Sequence, residues 1–243
     1  VLINGISFQN GKDGVHISNG NLTLKNCEFI ECITGINVSS ADDIDISSCE
    51  IEGNTIGMYL NNCTCDQGSI SAMKFESNDQ SMILSDCSDI RIIECEMEPN
   101  DRGVKMISSD AILLDYITIS SPDLQGINID NSKNISISDT DIDHTTTAIF
   151  IGNVSIVNTT DALVYRTLNN IEDCTFSYTD YGVKLSNADG TRIGGSMWYI
   201  THLEDGFPCY FMSGIAEDPL SWFTPRNFPE GCMFYNIDYP MYM

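Results

Sequence analysis

Residues 24–51 read LKNCEFIECITGINVSSADDIDISSCEI, and this stretch decides the fold. It places Cys27 and Cys49, which are 22 residues apart, at the same point of two matching phrases, KNCEF at 25–29 and SSCEI at 47–51. A cysteine that returns at the same point of a cycle predicts an internal repeat with a period of 20–50 residues.

A four-residue phrase marks this cycle along the chain: a small residue, an apolar residue, any residue and a second apolar residue. It starts at Gly14, Gly35, Gly57, Ser81, Gly103, Gly126, Ala148 and Gly182. The first seven starts are 21, 22, 24, 22, 23 and 22 residues apart, and the last gap of 34 residues indicates a loop or a distorted coil.

Each cycle contains two further short runs in which apolar residues alternate. One run starts at Asn21, Asp43, Asp89 and Asn134, and the other at Cys27, Cys49, Met73, Cys95 and Cys174. Turn residues separate the runs, which are rich in β-branched and aromatic residues and lack helical periodicity. Three short strands per cycle describe one coil of a parallel β-helix, whose coils stack about 4.8 Å apart. We therefore predict an all-β chain with eight or nine coils of about 22 residues. A leucine-rich repeat would need a different phrase, and a sandwich would not explain the steady period.

Two stretches resemble a known superfamily: GVHISNGNLTLKNCEF at 14–29 and GINIDNSKNISISDT at 126–140. They look like the β-helix repeats of the pectate-lyase-like superfamily, and the resemblance covers residues 1–195. It implies a right-handed, single-stranded parallel β-helix. The superfamily includes polysaccharide lyases, hydrolases, phage tailspikes, copper-delivery proteins and surface proteins, so the resemblance does not assign a reaction. The acidic character of this chain is closest to archaeal and bacterial cell-surface or sheath proteins.

The charge of the chain excludes two classes of partner. It has 35 acidic and 11 basic residues and a formal net charge of −24, which repels nucleic-acid phosphates and anionic lipids. No apolar run approaches 18 residues, so we predict no membrane span. The chain begins inside the repeat at Val1, and from this we expect a processed or trimmed N-terminus.

Ten cysteines suggest pairing in an oxidising compartment, although reduced, buried cysteines are the alternative. Aligned phrases place Cys63 and Cys87 on neighbouring coils, within the separation that a disulfide tolerates. The further candidate pairs are Cys27 with Cys49 and Cys209 with Cys232. Candidate N-glycosylation sites agree with an extracellular or cell-surface location; they are Asn21, Asn37, Asn62, Asn134, Asn153 and Asn158.

The motifs of catalytic β-helices are incomplete in this chain. The superfamily's hydrolases carry Asp-Asp, Gly-His-Gly and Arg-x-Lys motifs, and only an Asp-Asp pair, at 42–43, occurs here. The sequence DIDH at 141–144 resembles the Trp-Ile-Asp-His phrase of pectate lyases, but the tryptophan is replaced and no arginine has the required neighbours. The alternating carboxylates Asp139, Asp141 and Asp143 are either solvated or able to bind Ca²⁺, and apart from this ion we predict no cofactor. We assign no catalytic residue and lean away from an enzyme.

The composition changes after residue 195. Residues 196–243 contain 12 of the 22 aromatic residues and five of the seven prolines. We predict an irregular tail that caps the open end of the β-helix or docks a partner. The interface candidates are Trp198, Trp222, Phe223, Tyr235, Tyr239 and Tyr242.

These observations predict a secreted, non-enzymatic structural or cell-surface protein, such as a self-assembling sheath, S-layer or filament subunit. Its expected partners are copies of itself, other surface proteins or a polysaccharide. The alternatives are a Ca²⁺-dependent polysaccharide lyase and a carbohydrate-binding adhesin module.

Overall fold

The structure is a computed structural model of the chain. It describes residues 1–65, 67–98, 100–154, 169–188, 191–194, 197–199, 228–230 and 233–235. All regular elements in these ranges are β-strands, which confirms the predicted all-β class. No helix in these ranges is long and apolar enough to cross a membrane.

The strands follow one another at short intervals. The first twelve are β1 (Leu2–Asn4), β2 (Ser7–Gln9), β3 (Asp13–Ser18), β4 (Leu22–Lys25), β5 (Glu28–Ile30), β6 (Thr34–Ser39), β7 (Ile44–Ser47), β8 (Glu50–Glu52), β9 (Ile56–Asn61), β10 (Ile70–Ser71), β11 (Lys74–Glu76) and β12 (Gln80–Ser85). The next eight are β13 (Arg91–Ile93), β14 (Glu96–Met97), β15 (Arg102–Ile107), β16 (Leu113–Asp115), β17 (Thr118–Ser120), β18 (Gln125–Asp130), β19 (Ile135–Ser138) and β20 (Asp141–Val154). The last six are β21 (Asn169–Glu172), β22 (Thr175–Ala188), β23 (Thr191–Gly194), β24 (Met197–Tyr199), β25 (Phe228–Glu230) and β26 (Met233–Tyr235).

Three successive strands make one coil, and each strand pairs in parallel with the strand at the same point of the next coil. The first side of the coils is a ten-stranded sheet that starts with β1, β4 and β7. The second side starts with the short strands β2, β5 and β8, and the third side starts with the six-residue strands β3, β6 and β9. Residues 1–154 form seven coils, and β21 and β22 add an eighth, in agreement with the predicted parallel β-helix.

One continuous core fills the β-helix. Inward residues alternate with outward residues on every side, so each coil contributes apolar side chains that pack on those of the next coil. On the second side the buried column includes Phe29, Phe75 and Phe176, each fully inaccessible to solvent. The half-buried ring of Phe8 extends this column by stacking on Phe29, with 5.2 Å between the ring centroids.

The three corners of each coil bend through a residue with positive φ. Few of these residues are glycine; they are mostly Asn, Asp and Ser, which tolerate the left-handed region. The corner between the first and second sides uses Asn26, Ser48, Ala72, Glu94, Tyr116, Asp139 and Asp173, with φ between 46° and 55°. The following residue then points inward into a slot at the corner.

These corner slots explain the recurring cysteines. Cys27, Cys49, Met73 and Cys95 share one slot on four successive coils, and Cys174 occupies it three coils further on, as the repeat predicted. The cysteine thiols donate to the carbonyl oxygen two residues earlier, as from Cys49 to Ser47 at 3.4 Å and from Cys95 to Ile93 at 3.4 Å. Hydroxyls at equivalent slots make the same bond, as from Thr140 to the carbonyl oxygen of Ser138 at 2.9 Å. Small donors in this slot bond to their own coil, whereas Met73 and Ile117 fill it with apolar side chains.

A ladder of asparagines lines the corner between the second and third sides. Asn54, Asn78 and Asn100 are buried on successive coils. The Asn78 amide oxygen accepts from the Asn54 backbone N–H at 3.0 Å, and the Asn100 amide oxygen accepts from the Asn78 N–H at 2.8 Å. Cys32 ends the ladder, where its backbone N–H donates to the Asn54 amide oxygen at 2.8 Å. The ladder satisfies backbone groups that the corner takes out of the sheets.

The strands described beyond residue 195 continue the sheets. β24 pairs in parallel with β22, and β26 pairs in parallel with β24, while β25 extends the first side by pairing with β23. The segment predicted to be irregular thus contributes strands to both sheets. Of the aromatic interface candidates, Trp198 lies in β24 and Tyr235 in β26; Trp222, Phe223, Tyr239 and Tyr242 lie outside the described residues.

Candidate functional site: a cationic groove on the third side

A groove of about 320 Å³ opens on the third side of the β-helix. Three neighbouring strands, β12, β15 and β18, supply its lining, which consists of Gln80, Arg102, Val104, Lys105, Gln125 and Asn128. Register brings these residues together: Arg102 lies beside Gln125, and Lys105 lies beside Asn128. Outward residues of adjacent parallel strands form columns, so residues about 22 positions apart in sequence line one site.

The amides of the groove are held in place by hydrogen bonds. Gln80 is buried and its Nε2 donates to the carbonyl oxygens of Met82 and Gly103. The Asn128 Nδ2 donates to the Gln125 Oε1 at 2.7 Å. The Asn128 Oδ1 is also buried, yet it has no hydrogen-bond partner among the described residues. This oxygen is a buried, unsatisfied acceptor at the edge of the groove.

The cations of the groove are not neutralised within the described part of the chain. The ion pairs found there join Lys25 to Asp45, Lys74 to Glu76 and Lys133 to Asp110, and involve neither Arg102 nor Lys105. Arg102 is exposed and Lys105 is half-buried. Three coils further on, Lys184 extends the cationic column and lies 4.9 Å above the Tyr181 ring centroid. The groove therefore presents positive charge to solvent.

The second side carries the opposite charge. Its outward residues, on β5, β8, β11, β14 and β20, include one cation, Lys74; the acidic ones are Glu28, Glu50, Glu52, Glu76, Glu96, Asp141 and Asp143. We call this set the acidic face. Glu28 lies directly beside Glu50, and Glu52 lies beside Glu76. The hydrogen bond to Glu76 and the neighbouring carboxylates raise the pKa of Lys74.

The third side differs sharply from the acidic face. Among the outward side chains that the structure describes on its strands β3 to β22, two are carboxylates, Asp13 and Asp130, and three are cations, Arg102, Lys105 and Lys184. The other outward residues there are mainly amides, hydroxyls and aromatic or aliphatic groups. Among the described side chains of a chain with a net charge of −24, those of this side include more cations than carboxylates.

The carboxylates predicted to bind a cation lie at β20, which is the C-terminal end of the acidic face. Asp141 and Asp143 point outward from β20, whereas Asp139 occupies the preceding corner with φ of 46°. Asp143 accepts from the Ser121 backbone N–H at 3.3 Å and lies 3.5 Å from the His144 Nδ1. The His144 ring stacks on Tyr178, with 4.5 Å between the centroids. Within the described residues, no three His, Cys, Asp or Glu side chains form a group that could hold a metal ion.

The described cysteines are buried free thiols. The two predicted pairs among them do lie on neighbouring coils, since Leu60 pairs with Leu84 and Glu28 with Glu50. A hydrogen bond between Cys63 and Cys87 lowers the pKa of Cys63 to about 6 and raises that of Cys87. Burial raises the pKa of Cys49 to about 11 and that of Cys95 to about 12. Cys209 and Cys232 lie outside the described residues, and disulfide formation stays a prediction.

The candidate glycosylation sites are at the surface where the structure describes them. Asn21, Asn62, Asn134 and Asn153 are exposed and Asn37 is half-buried, while Asn158 lies outside the described residues. An accessible asparagine meets one requirement for glycosylation, and glycosylation itself stays a prediction.

Sequence reasoning missed the groove. Its signal was present in the repeat phrase, because Lys105 and Asn128 both occupy the variable third position of successive phrases, GVKM at 103–106 and GINI at 126–129. Aligning the phrases stacks these two residues, but the contribution of Gln80 and Arg102 depends on the outward direction of the residue before the phrase, which the pattern left open.

The fold and the groove define a β-helical repeat protein with oppositely charged sides. The sequence matches the family described as a right handed beta helix region over residues 62–196, which is more than half of the chain, and the chain belongs to this family. No curated protein matches the sequence. Among solved structures, the crystal structure of the bacteriophage Phi29 gene product 12 N-terminal fragment is similar, with a TM-score of 0.49 and 12% identity over 98% of this chain. The chain spans 45% of that structure's length.

Proposed function

We propose that this chain is a secreted, non-enzymatic structural protein of the cell surface, a subunit that assembles with copies of itself into a sheath, S-layer or filament. The observation that carries the proposal is the continuity of the β-helix. Both sheets and the core run from coil to coil through the described residues of 1–154.

Continuity supports a structural role because each coil is held by its neighbours on three sides. Such a stack presents the same three sides along its whole length, so one lateral contact can repeat over several coils. The acidic character of the chain, which resembles that of surface and sheath proteins, points in the same direction.

Sedimentation velocity over a concentration series tests this proposal. We expect reversible high-mass species at high concentration in about 0.15 M salt. A parallel series with reductant separates assembly through non-covalent contacts, which survives, from assembly through intermolecular disulfides, which does not. Protein that sediments as a monomer throughout both series contradicts the proposed function.

The groove favours a second candidate, a carbohydrate-binding module. Its two cations, Arg102 and Lys105, suit the carboxylates of an acidic sugar chain. Isothermal titration calorimetry with alginate, a carboxylated polysaccharide, tests this candidate. Binding that Lys105→Gln abolishes and Lys25→Gln leaves unchanged supports it, and equal binding by both variants overturns it.

A further inference from the structure

We propose that the third side of one copy docks onto the acidic face of a second copy, with Arg102 and Lys105 meeting Glu50 and Glu52 of that copy. This inference rests on the proposed assembly and specifies its interface. The two sides belong to different parts of the molecule, so the contact is heterologous: each copy still offers one free side of each kind, and the contact repeats into an open array.

Charge complementarity selects the two surfaces. Arg102 and Lys105 extend outward from one strand, β15, and lack an ion pair among the described residues. Glu50 and Glu52 extend outward from one strand, β8, and both are exposed. Each surface thus offers two like charges from a single strand. The two cations of β15 can therefore form ion pairs with the two carboxylates of β8 in a second copy.

The acidic face gains from a partner that brings cations. Carboxylates directly opposite each other on adjacent strands destabilise a sheet, and this face has two such pairs, Glu28 with Glu50 and Glu52 with Glu76. Lys74 offsets part of the repulsion through its 2.9 Å ion pair with Glu76. Lys74 leaves part of this repulsion in place, and cations from a second copy would reduce it around Glu50 and Glu52.

Both surfaces also share one spacing. Outward columns on either side rise by one strand separation per coil, about 4.8 Å, because both belong to the same stack of parallel strands. When two copies lie side by side with their axes aligned, strands that meet at one coil stay in step at the next. A second copy therefore fits the third side over several coils, whereas a flexible acidic chain would have to be ordered on binding.

The net charge of each copy opposes association at long range, and salt decides the balance. The Debye length is about 8 Å at 0.15 M and about 3 Å at 1 M. Two chains with a charge of −24 repel strongly at low salt, while ion pairs in contact persist at 0.15 M and weaken at 1 M. Assembly should therefore be greatest at intermediate ionic strength.

Two charge-reversal variants test the interface. Arg102→Glu/Lys105→Glu disables the third side, and Glu50→Lys/Glu52→Lys disables the acidic face. We expect each variant alone to need a roughly tenfold higher concentration to assemble, as followed by light scattering. An equimolar mixture of the two should assemble again, because each variant then meets complementary surfaces on the other. A chain with all four substitutions should also regain assembly.

The controls separate specific pairing from net charge. Glu50→Lys/Glu52→Lys reduces the overall negative charge, so its loss of assembly cannot come from added repulsion. Lys25→Glu/Lys133→Glu changes the net charge as much as the third-side variant does, yet both lysines lie off the two proposed surfaces, and it should assemble close to wild type. Circular dichroism checks that all variants retain the β-helix.

The outcomes distinguish this inference from the proposed function. If wild type assembles and either charge-reversal variant assembles equally well, the interface is overturned and the structural role stands. If wild type stays monomeric at every salt concentration, both are overturned. If the mixture of the two variants fails to assemble although each alone is disabled, the contact is not between these two sides and the inference fails.

Discussion

At the scale of the residue, the corner slots govern which side chains recur. Cys27 and Cys49 lie one repeat apart, and the repeat correctly predicted that they share an inward position. The hydrogen bond that each thiol makes two residues back could not be read from the sequence, because it depends on the positive φ of the preceding residue. That geometry also explains why Thr140 and Cys174 can occupy the same slot.

The asparagine ladder yields the first prediction. Asn78→Leu removes an acceptor for the Asn54 N–H and donors to the carbonyl of Ile51 and the amide oxygen of Asn100, all of them buried. We expect a loss of about 2–5 kcal/mol in unfolding free energy, measured by urea denaturation. Asn37→Leu, at a half-buried outward position, should change stability by about 0.5 kcal/mol or less. Equal effects of the two substitutions would contradict the ladder's role.

Buried thiols predict how stability depends on alkaline pH. Burial raises the folded-state pKa of Cys95 to about 12 from its ordinary 9.0. Between these values the unfolded chain loses the proton and the folded chain keeps it, so the contribution to stability is complete below pH 9 and is lost as the pH rises toward 12. At pH 10.5 this amounts to about 2 kcal/mol.

The matched variant isolates this effect from other alkaline titrations. Cys95→Ser keeps a small donor in the slot but has no group that ionises in this range. The stability difference between wild type and variant, from urea denaturation at pH 8 and pH 10.5, should shift by about 2 kcal/mol in favour of the variant. A difference that is constant with pH would show that the Cys95 thiol is not protected as described.

At the scale of the element, the sequence predicted three strands per coil, but not where two of them fuse. β20 and β22 each run for 14 residues through the corner between the second and third sides. His144 and Tyr178 take the positive φ at that corner, and neither is a residue that signals a turn. The strands β24 to β26 were missed for a related reason: the aromatic, proline-rich composition hid the register that pairs them with β22 and β23.

The small residue that begins each repeat phrase, such as Gly57 in β9, yields a prediction at this scale. A Cβ at Gly57 would lie 2.6 Å from the Ser81 carbonyl oxygen and 2.9 Å from the Phe75 ring. Gly57→Val should therefore strain β9 against β12 and cost about 1–3 kcal/mol. Asn61→Val, at an outward position of the same strand, should be tolerated within about 0.5 kcal/mol. Thermal denaturation of both variants measures the difference; a Gly57→Val protein as stable as wild type would contradict the close packing of these coils.

At the scale of the whole molecule, net charge conceals how charge is distributed. The composition predicts no nucleic-acid partner, and it does not reveal that the cations Arg102, Lys105 and Lys184 gather on one side while carboxylates dominate another. That separation follows from the register of the coils, which the repeat phrases fix only for the residues inside each phrase. Here the structure adds most to the sequence, because it turns a uniform acidic chain into one with two complementary sides.

Assembly through those two sides is the central claim, and zero-length cross-linking tests it most directly. A carbodiimide joins a lysine amine to a carboxylate only when they touch, and a mixture of ¹⁴N- and ¹⁵N-labelled protein identifies links between copies by their mixed isotope masses. We predict mixed-isotope links from Lys105 to Glu50 or Glu52, present in assembled protein and lost on dilution to the monomer. Links between copies that join Lys105 to first-side carboxylates, or Lys105 links found only within one copy of assembled protein, would contradict the account.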